Sequence, residues 1–148
     1  MSKEGSLSQH AQELQPDVTN SSMPFTDCYD RTPLDSGTQS IRLVRFVRAT
    51  CARSIQCELH CFPLASTPSY TALSYRWGAA WPTNVIIING RRFVIRENLW
   101  HFLHQKCIEN SRDYYWIDAI CIDQCNIKER NHQVSLMRDI YRRVRTLL

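Results

Sequence analysis

The residues able to do chemistry crowd into one stretch, Tyr114-Tyr-Trp-Ile-Asp-Ala-Ile-Cys-Ile-Asp-Gln-Cys-Asn-Ile-Lys-Glu-Arg130. Asp118 interrupts an apolar run, Asp123 ends it, and Glu129 and Arg130 follow a polar turn. A carboxylate inside an apolar run needs a cation or hydrogen-bond donors, because desolvation alone would neutralise it. Asp118 is therefore expected to pair with an arginine, Arg76 or Arg130, in a contact that would also fix a site. Glu129 admits two roles. Asn126 can cap a helix with Glu129 at its third position, giving the capping box Asn126-x-x-Glu129. Alternatively, the carboxylate stands at a crevice mouth beside Arg130, where it could stabilise a cationic transition state or orient a sugar hydroxyl. The local pattern favours the cap.

Thiols are the next candidates. Cys121 lies inside the apolar run, which raises a thiol pKa, whereas Cys125 precedes a helix start, which lowers it. Cys125 is thus the better nucleophile, with His132 as a base that could approach in space. Metal binding is not expected. Cys57 and Cys61 lie on an alternating strand, where four residues span roughly 13 Å, too far for one ion. Neither Cys121-x-x-x-Cys125 nor His101-x-x-His104 has a second pair at zinc-site spacing. Trp77 and Trp81 could stack on a planar ligand ring, but core covering is the better reading.

Elements to position these groups are legible along the chain. Residues 1–40 are rich in Ser, Thr, Gln, Asp and Pro and are expected to form a disordered leader, with the fold beginning near Ser40. Ile41–Arg48 reads as a strand with mixed faces. Ile55, Cys57, Leu59 and Cys61 alternate with polar residues, the period-2 mark of a half-buried strand. Tyr70–Tyr75 forms a third strand that breaks at Gly78. Asn89-Gly90 between Val85–Ile88 and Arg91–Ile95 specifies a type I′ hairpin. Asn98 is expected to cap a helix carrying Leu99, Phe102, Leu103 and Cys107. Tyr114–Ile122 reads as a central strand, apolar on both faces. A second helix follows Asn126, with Val134, Met137 and Tyr141 on one stripe and Ile140 beside them.

This order implies an α/β fold with a mostly parallel sheet and an inserted hairpin. The ligand crevice is then expected beyond the carboxyl ends of strands 70–75 and 114–122. At 148 residues the chain has room for one domain. Its net charge of +4 is unevenly divided. Residues 1–40 carry Lys3 and Arg31 against six acids, and residues 41–148 carry sixteen basic groups against eight acids. The arginines are scattered, with one dense group at Arg138, Arg142, Arg143 and Arg145, so a solvated basic face is favoured over nucleic-acid binding. No stretch has the length of a membrane span or the pattern of a signal peptide. A soluble, intracellular, cytoplasmic chain is expected. The odd count of seven Cys argues against a disulfide framework and for mostly buried thiols.

Several motifs together resemble a known family. Tyr70-Thr-Ala-Leu-Ser-Tyr-Arg-Trp-Gly78, Ile88-Asn-Gly90, Asn98-Leu99, Trp116-Ile-Asp-Ala-Ile-Cys-Ile-Asp-Gln124, Glu129-Arg130, Gln133-Val134, Met137 and Ile140-Tyr141 resemble, in order and spacing, the fungal heterokaryon-incompatibility (HET) domain. The resemblance spans about residues 41–148. It marks Trp116, Asp118, Cys121, Asp123, Gln124, Arg130 and Gln133 as motif positions. It implies a non-self recognition protein that triggers cell death when incompatible strains fuse, acting as an effector or adaptor through self-association or incompatibility partner proteins. It also implies a distant relation to Toll/interleukin-1 receptor (TIR) domains, flavodoxin-like folds of which some cleave NAD with a helix-borne glutamate. On that relation Glu129 would be catalytic at the nicotinamide ribose and Ser74, Arg76, Trp77 and Gly78 would line the dinucleotide pocket. Asp118 would hold the loop arginine, and NAD would be the substrate. The cap and the catalyst then stand level for Glu129. Two departures from the family pattern are visible. An arginine stands at position 76 where an aliphatic residue is commoner, and Arg142–Leu148 stops short of a further apolar strand, so a C-terminally incomplete domain is expected.

Overall fold

A computed structural model describes residues 27–47, 54–74 and 78–148. Among these residues seven strands form one mixed sheet: β1 (Ser40–Phe46), β2 (Gln56–Pro63), β3 (Tyr70–Ala72), β4 (Thr83–Ile88), β5 (Arg91–Arg96), β6 (Tyr114–Trp116) and β7 (Thr146–Leu147). Their order across the sheet is β5-β4-β2-β1-β6-β3-β7. Among the described residues three α-helices accompany it, α1 (Glu97–Ile108), α2 (Asp118–Cys121) and α3 (Ile127–Arg142).

The α/β class agrees with the sequence, but the expectation of a mostly parallel sheet is corrected. β6, β3 and β7 run parallel, and β2 runs parallel to β4, yet β1 is antiparallel to both β2 and β6. Sequential strands pair antiparallel when their connection is short, and β1 and β2 do so over seven residue pairs in the middle of the sheet. The 85–95 hairpin is present, with β4 and β5 paired from Thr83↔Arg96 to Ile88↔Arg91. Asn89 and Gly90 have φ of 50° and 77°, the two left-handed positions a type I′ turn requires. It forms one edge of the sheet.

Several details of the elements differ from expectation. The strand expected over 114–122 ends at Trp116, and Asp118–Cys121 is helical. Ile117, Ile120, Cys121 and Ile122 are all buried, and an apolar run buried all round has no periodicity to separate strand from helix. Asn98 does not cap α1, which begins at Glu97 with Arg96 as its cap residue. On α3 the buried stripe is Glu129, Gln133, Leu136 and Ile140, and Val134 is 52% exposed. The expected stripe is rotated by about one residue, because it was drawn through apolar side chains while the core accepts Glu129 and Gln133.

The packed structure also reaches back into the segment read as a leader. Cys28, Tyr29 and Thr32 are buried, and Asn89 donates its side-chain amide to the Cys28 carbonyl at 2.8 Å. Residues 1–26 of that segment lie outside the described residues. The core gathers Ile41, Leu43, Tyr70, Ile86, Leu103 and Trp116 from both ends of the sheet. Cys28, Cys57 and Cys121 are buried free thiols, but Cys61 and Cys125 are exposed and Cys107 is disulfide-bonded. Trp81 is 76% exposed, which overturns its reading as core. Among the described residues no helix is long and apolar enough to cross a membrane.

Candidate functional site

Glu129 enters the site from the first turn of α3. Asn126 caps that helix, its side-chain oxygen accepting from the Glu129 amide at 3.0 Å. The reciprocal half of the capping box is missing. The Asn126 amide donates to the Asp123 carbonyl, which leaves the Glu129 carboxylate for other donors. Both of its oxygens are used. Arg42 forms a two-pronged ion pair with them, Nη1 on Oε1 and Nη2 on Oε2, and the Asp123 amide adds a third bond to Oε1 at 2.8 Å.

Arg42 is the residue that sequence reasoning missed. It is 1% exposed on β1, where it also donates Nε to the Thr32 carbonyl at 2.7 Å and Nη1 to the Cys121 carbonyl at 3.2 Å. Its guanidinium lies 4.5 Å from the Tyr29 ring centroid. The Tyr29 hydroxyl, whose pKa is driven upward by burial, bonds to the Ile120 and Ile122 carbonyls at 2.8 and 3.2 Å. One guanidinium therefore ties together the 27–32 segment, β1, the end of α2 and the start of α3. A buried arginine meets its hydrogen-bonding demand with a planar fork of five donors, and this one has four protein acceptor contacts. The one local signal was a charged residue between Ile41 and Leu43 in a strand with mixed faces.

The other motif residues divide between structure and surface. Asp118 is half-buried at the start of α2, where its side chain accepts from the Ala119 amide at 2.8 Å. The expected ion pair with Arg130 is not formed, since Arg130 points to solvent on α3. A separate buried pair joins Glu129 to Arg42, and the expected contact of Asp118 with Arg76 falls outside the described residues. Arg76 and Trp77 lie outside the described residues. Cys121 is buried and its thiol is pushed up to about 12 by burial. Asp123 is buried and accepts from the Cys125 amide at 3.1 Å, and burial raises its pKa above the usual carboxylate range. Gln124 donates to the Asp118 carbonyl at 3.0 Å, and Gln133, fully buried, donates to the Ser40 carbonyl at 2.9 Å. Cys125 and His132 make no hydrogen bond with each other, and they line different cavities. No group of three metal-ligating side chains occurs among the described residues.

Of the loop residues expected around a dinucleotide, Ser74 and Gly78 are described, and they have different neighbours. Ser74 donates its amide to the Leu148 carbonyl at 2.8 Å. Gly78 instead sits over the start of α1. Arg96 donates to its carbonyl at 2.9 Å, and a Cβ at Gly78 would fall 2.3 Å from the Asn98 side-chain nitrogen. With φ of 70° as well, Gly78→Ala is expected to cost about 1–3 kcal/mol, read as a lowered thermal midpoint. A midpoint equal to the parent chain would remove that role from Gly78. One cavity of about 230 Å³ opens between β5 and the turn after α2, lined by Tyr29, Phe93, Ile95, Asp123 and Cys125 among others. A second, of about 260 Å³, is polar and has Glu129 on its wall with Asp35, Asn126, Lys128 and His132.

A sequence profile described as "Heterokaryon incompatibility protein (HET)" matches residues 70–148, more than half of the chain and including the whole segment from β3 to β7. The chain belongs to the HET family. It is also similar to "Heterokaryon incompatibility protein 6, OR allele" of Neurospora crassa, at 33% identity over 146 residues. That match takes in 88% of this chain, so it extends upstream of the profile, and 21% of the Neurospora protein. The HET chain thus spans about a fifth of that relative's length. No solved structure matches it. Within the family segment, Glu129 and the turn at Asp123 are joined to Arg42, which lies upstream of residue 70 on β1. The profile boundary therefore cuts through one continuous site.

Proposed function

We propose that this HET chain serves as an effector or adaptor module in fungal non-self recognition, and that it passes on a cell-death signal by associating with proteins, itself included, without turning over a substrate. Membership of the HET family and the likeness to a heterokaryon incompatibility protein support the process. The observation that carries the non-enzymatic part is the state of Glu129. A general acid, base or nucleophile needs an oxygen within reach of substrate. Here both oxygens face a buried guanidinium and a backbone amide. The competing reading, NAD cleavage by Glu129, rests on the presence of that residue on the wall of the polar cavity.

One pair of measurements separates them. The double variant Arg42→Met/Glu129→Leu removes the carboxylate together with its buried counter-charge, so the fold is retained. Expressed in a filamentous fungus, it is expected to kill cells as the parent chain does. The purified parent chain, incubated with NAD, is expected to release no nicotinamide. Nicotinamide release that vanishes in the double variant, together with loss of killing, would establish the enzyme instead.

A further inference from the structure

We infer that the outer edge of β5 is a docking site for an extended acidic polypeptide segment, which adds to the sheet as an eighth strand. β5 ends the strand order and, among the described residues, has β4 as its one neighbour. A two-residue loop makes Ile88↔Arg91 a hydrogen-bonded pair, so bonded pairs recur at Ile86↔Phe93 and Asn84↔Ile95. The N–H and C=O groups of Arg92 and Val94 therefore point away from β4. Among the described residues, neither makes a backbone hydrogen bond beyond the hairpin. Such an edge is a template for another strand.

Charge chooses the occupant. Residues 79–96 contain three arginines, Arg91, Arg92 and Arg96, and no acid. Arg92, Val94 and Arg96 share one face of β5, and Val94 pairs with Val85 in the hairpin. Val94 and Val85 are each 40% exposed, an apolar strip between cations. A second copy adding antiparallel about Val94 would set Arg92 against Arg96, and like charges directly opposite destabilise a strand pair. The complementary strand instead carries an acid, an apolar residue and an acid at alternate positions, opposite Arg92, Val94 and Arg96. Its intervening side chains turn to the other face, where the 230 Å³ cavity beside Phe93 and Ile95 is open to receive an apolar group. In the antiparallel alignment, Val94 and the central residue exchange both backbone bonds.

The test uses the full chain and the labelled peptide acetyl-Thr-Glu-Leu-Val-Leu-Glu-Thr-amide, followed by fluorescence anisotropy and amide hydrogen exchange. Saturable binding is expected, with the Arg92 and Val94 amides exchanging fast in the free chain and slowly in the complex. Replacing both Glu by Lys, or methylating the central Val nitrogen, is expected to weaken binding by about tenfold or more. Arg92→Glu is expected to weaken the acidic peptide and to recover affinity for the Lys peptide. Affinity indifferent to both peptide changes would overturn the proposal. So would amides already protected in the dilute free chain, which means that its own segment covers the edge, or protection that grows with chain concentration, which means that a second copy does. Because the readout is binding by purified chain, its failure is distinct from failure of the cell-death reading.

Discussion

Glu129→Ala lowers the unfolding free energy by about 3–5 kcal/mol, the cost of leaving one partner of a buried ion pair behind. The size follows from what remains. Arg42 is 1% exposed, and without the carboxylate its guanidinium keeps two carbonyls, Thr32 and Cys121, and the Tyr29 ring. None of these neutralises a charge that water cannot reach. A domain of this size has about 5–15 kcal/mol in total, so the variant approaches the unfolding threshold. Arg42→Ala leaves the mirror problem, a carboxylate held by the Asp123 amide. The double variant Arg42→Met/Glu129→Leu is expected to recover most of the loss, because the pair's attraction roughly balances its desolvation when both members go together. Urea unfolding of the parent chain, Arg42→Met, Glu129→Leu and their double variant closes the cycle. A single variant within about 1 kcal/mol of the parent chain would mean that the pair does not hold the four segments together.

Trp116→Ala is expected to cost a similar amount, about 3–5 kcal/mol, through the cavity left by the largest fully buried side chain among the described residues. Trp116 ends β6, paired with Ala72 on β3, and its ring meets Tyr141 of α3 edge-on at 5.5 Å. Removing it separates the parallel strands from the helix that covers them. Trp116→Phe is expected to cost much less than Trp116→Ala. Its smaller ring forfeits some packing but also deletes Nε1, a buried donor with no protein partner among the described residues. Thermal and denaturant midpoints of the two variants test this ordering. Equal losses would show that the indole N–H makes a bond as valuable as the packing around it.

These two residues illustrate how unevenly the site was legible. Trp116 belongs to a motif whose residue order alone marks the family, and burial of a tryptophan in an apolar run follows from composition. The ion pair could not be foreseen in the same way. A carboxylate in the 114–130 stretch plainly called for a cation, and Arg76 and Arg130, the arginines nearest to motif positions, stood out as partners for Asp118, whereas nothing local pointed to Arg42 for Glu129. The pair that forms joins residues 87 positions apart, and β1 brings Arg42 to Glu129 through pairing with β6. Similarly, the apolar stripe expected on α3 follows hydropathy, whereas the true buried face includes Gln133 and Glu129 because the Ser40 carbonyl and an arginine await them.

By itself, then, the sequence determined the features whose causes are local. The hairpin at Asn89-Gly90 needs two left-handed residues, the start of α3 needs a side-chain acceptor for the Glu129 amide, and the order of the motifs identifies the HET family. Only the tertiary structure decided that the sheet is mixed, that Asp118 begins a short helix, and that Glu129 faces Arg42. Those outcomes depend on which distant groups share a buried volume. A buried charge takes the partner that the fold delivers within hydrogen-bond distance, and spacing along the chain carries no record of that choice.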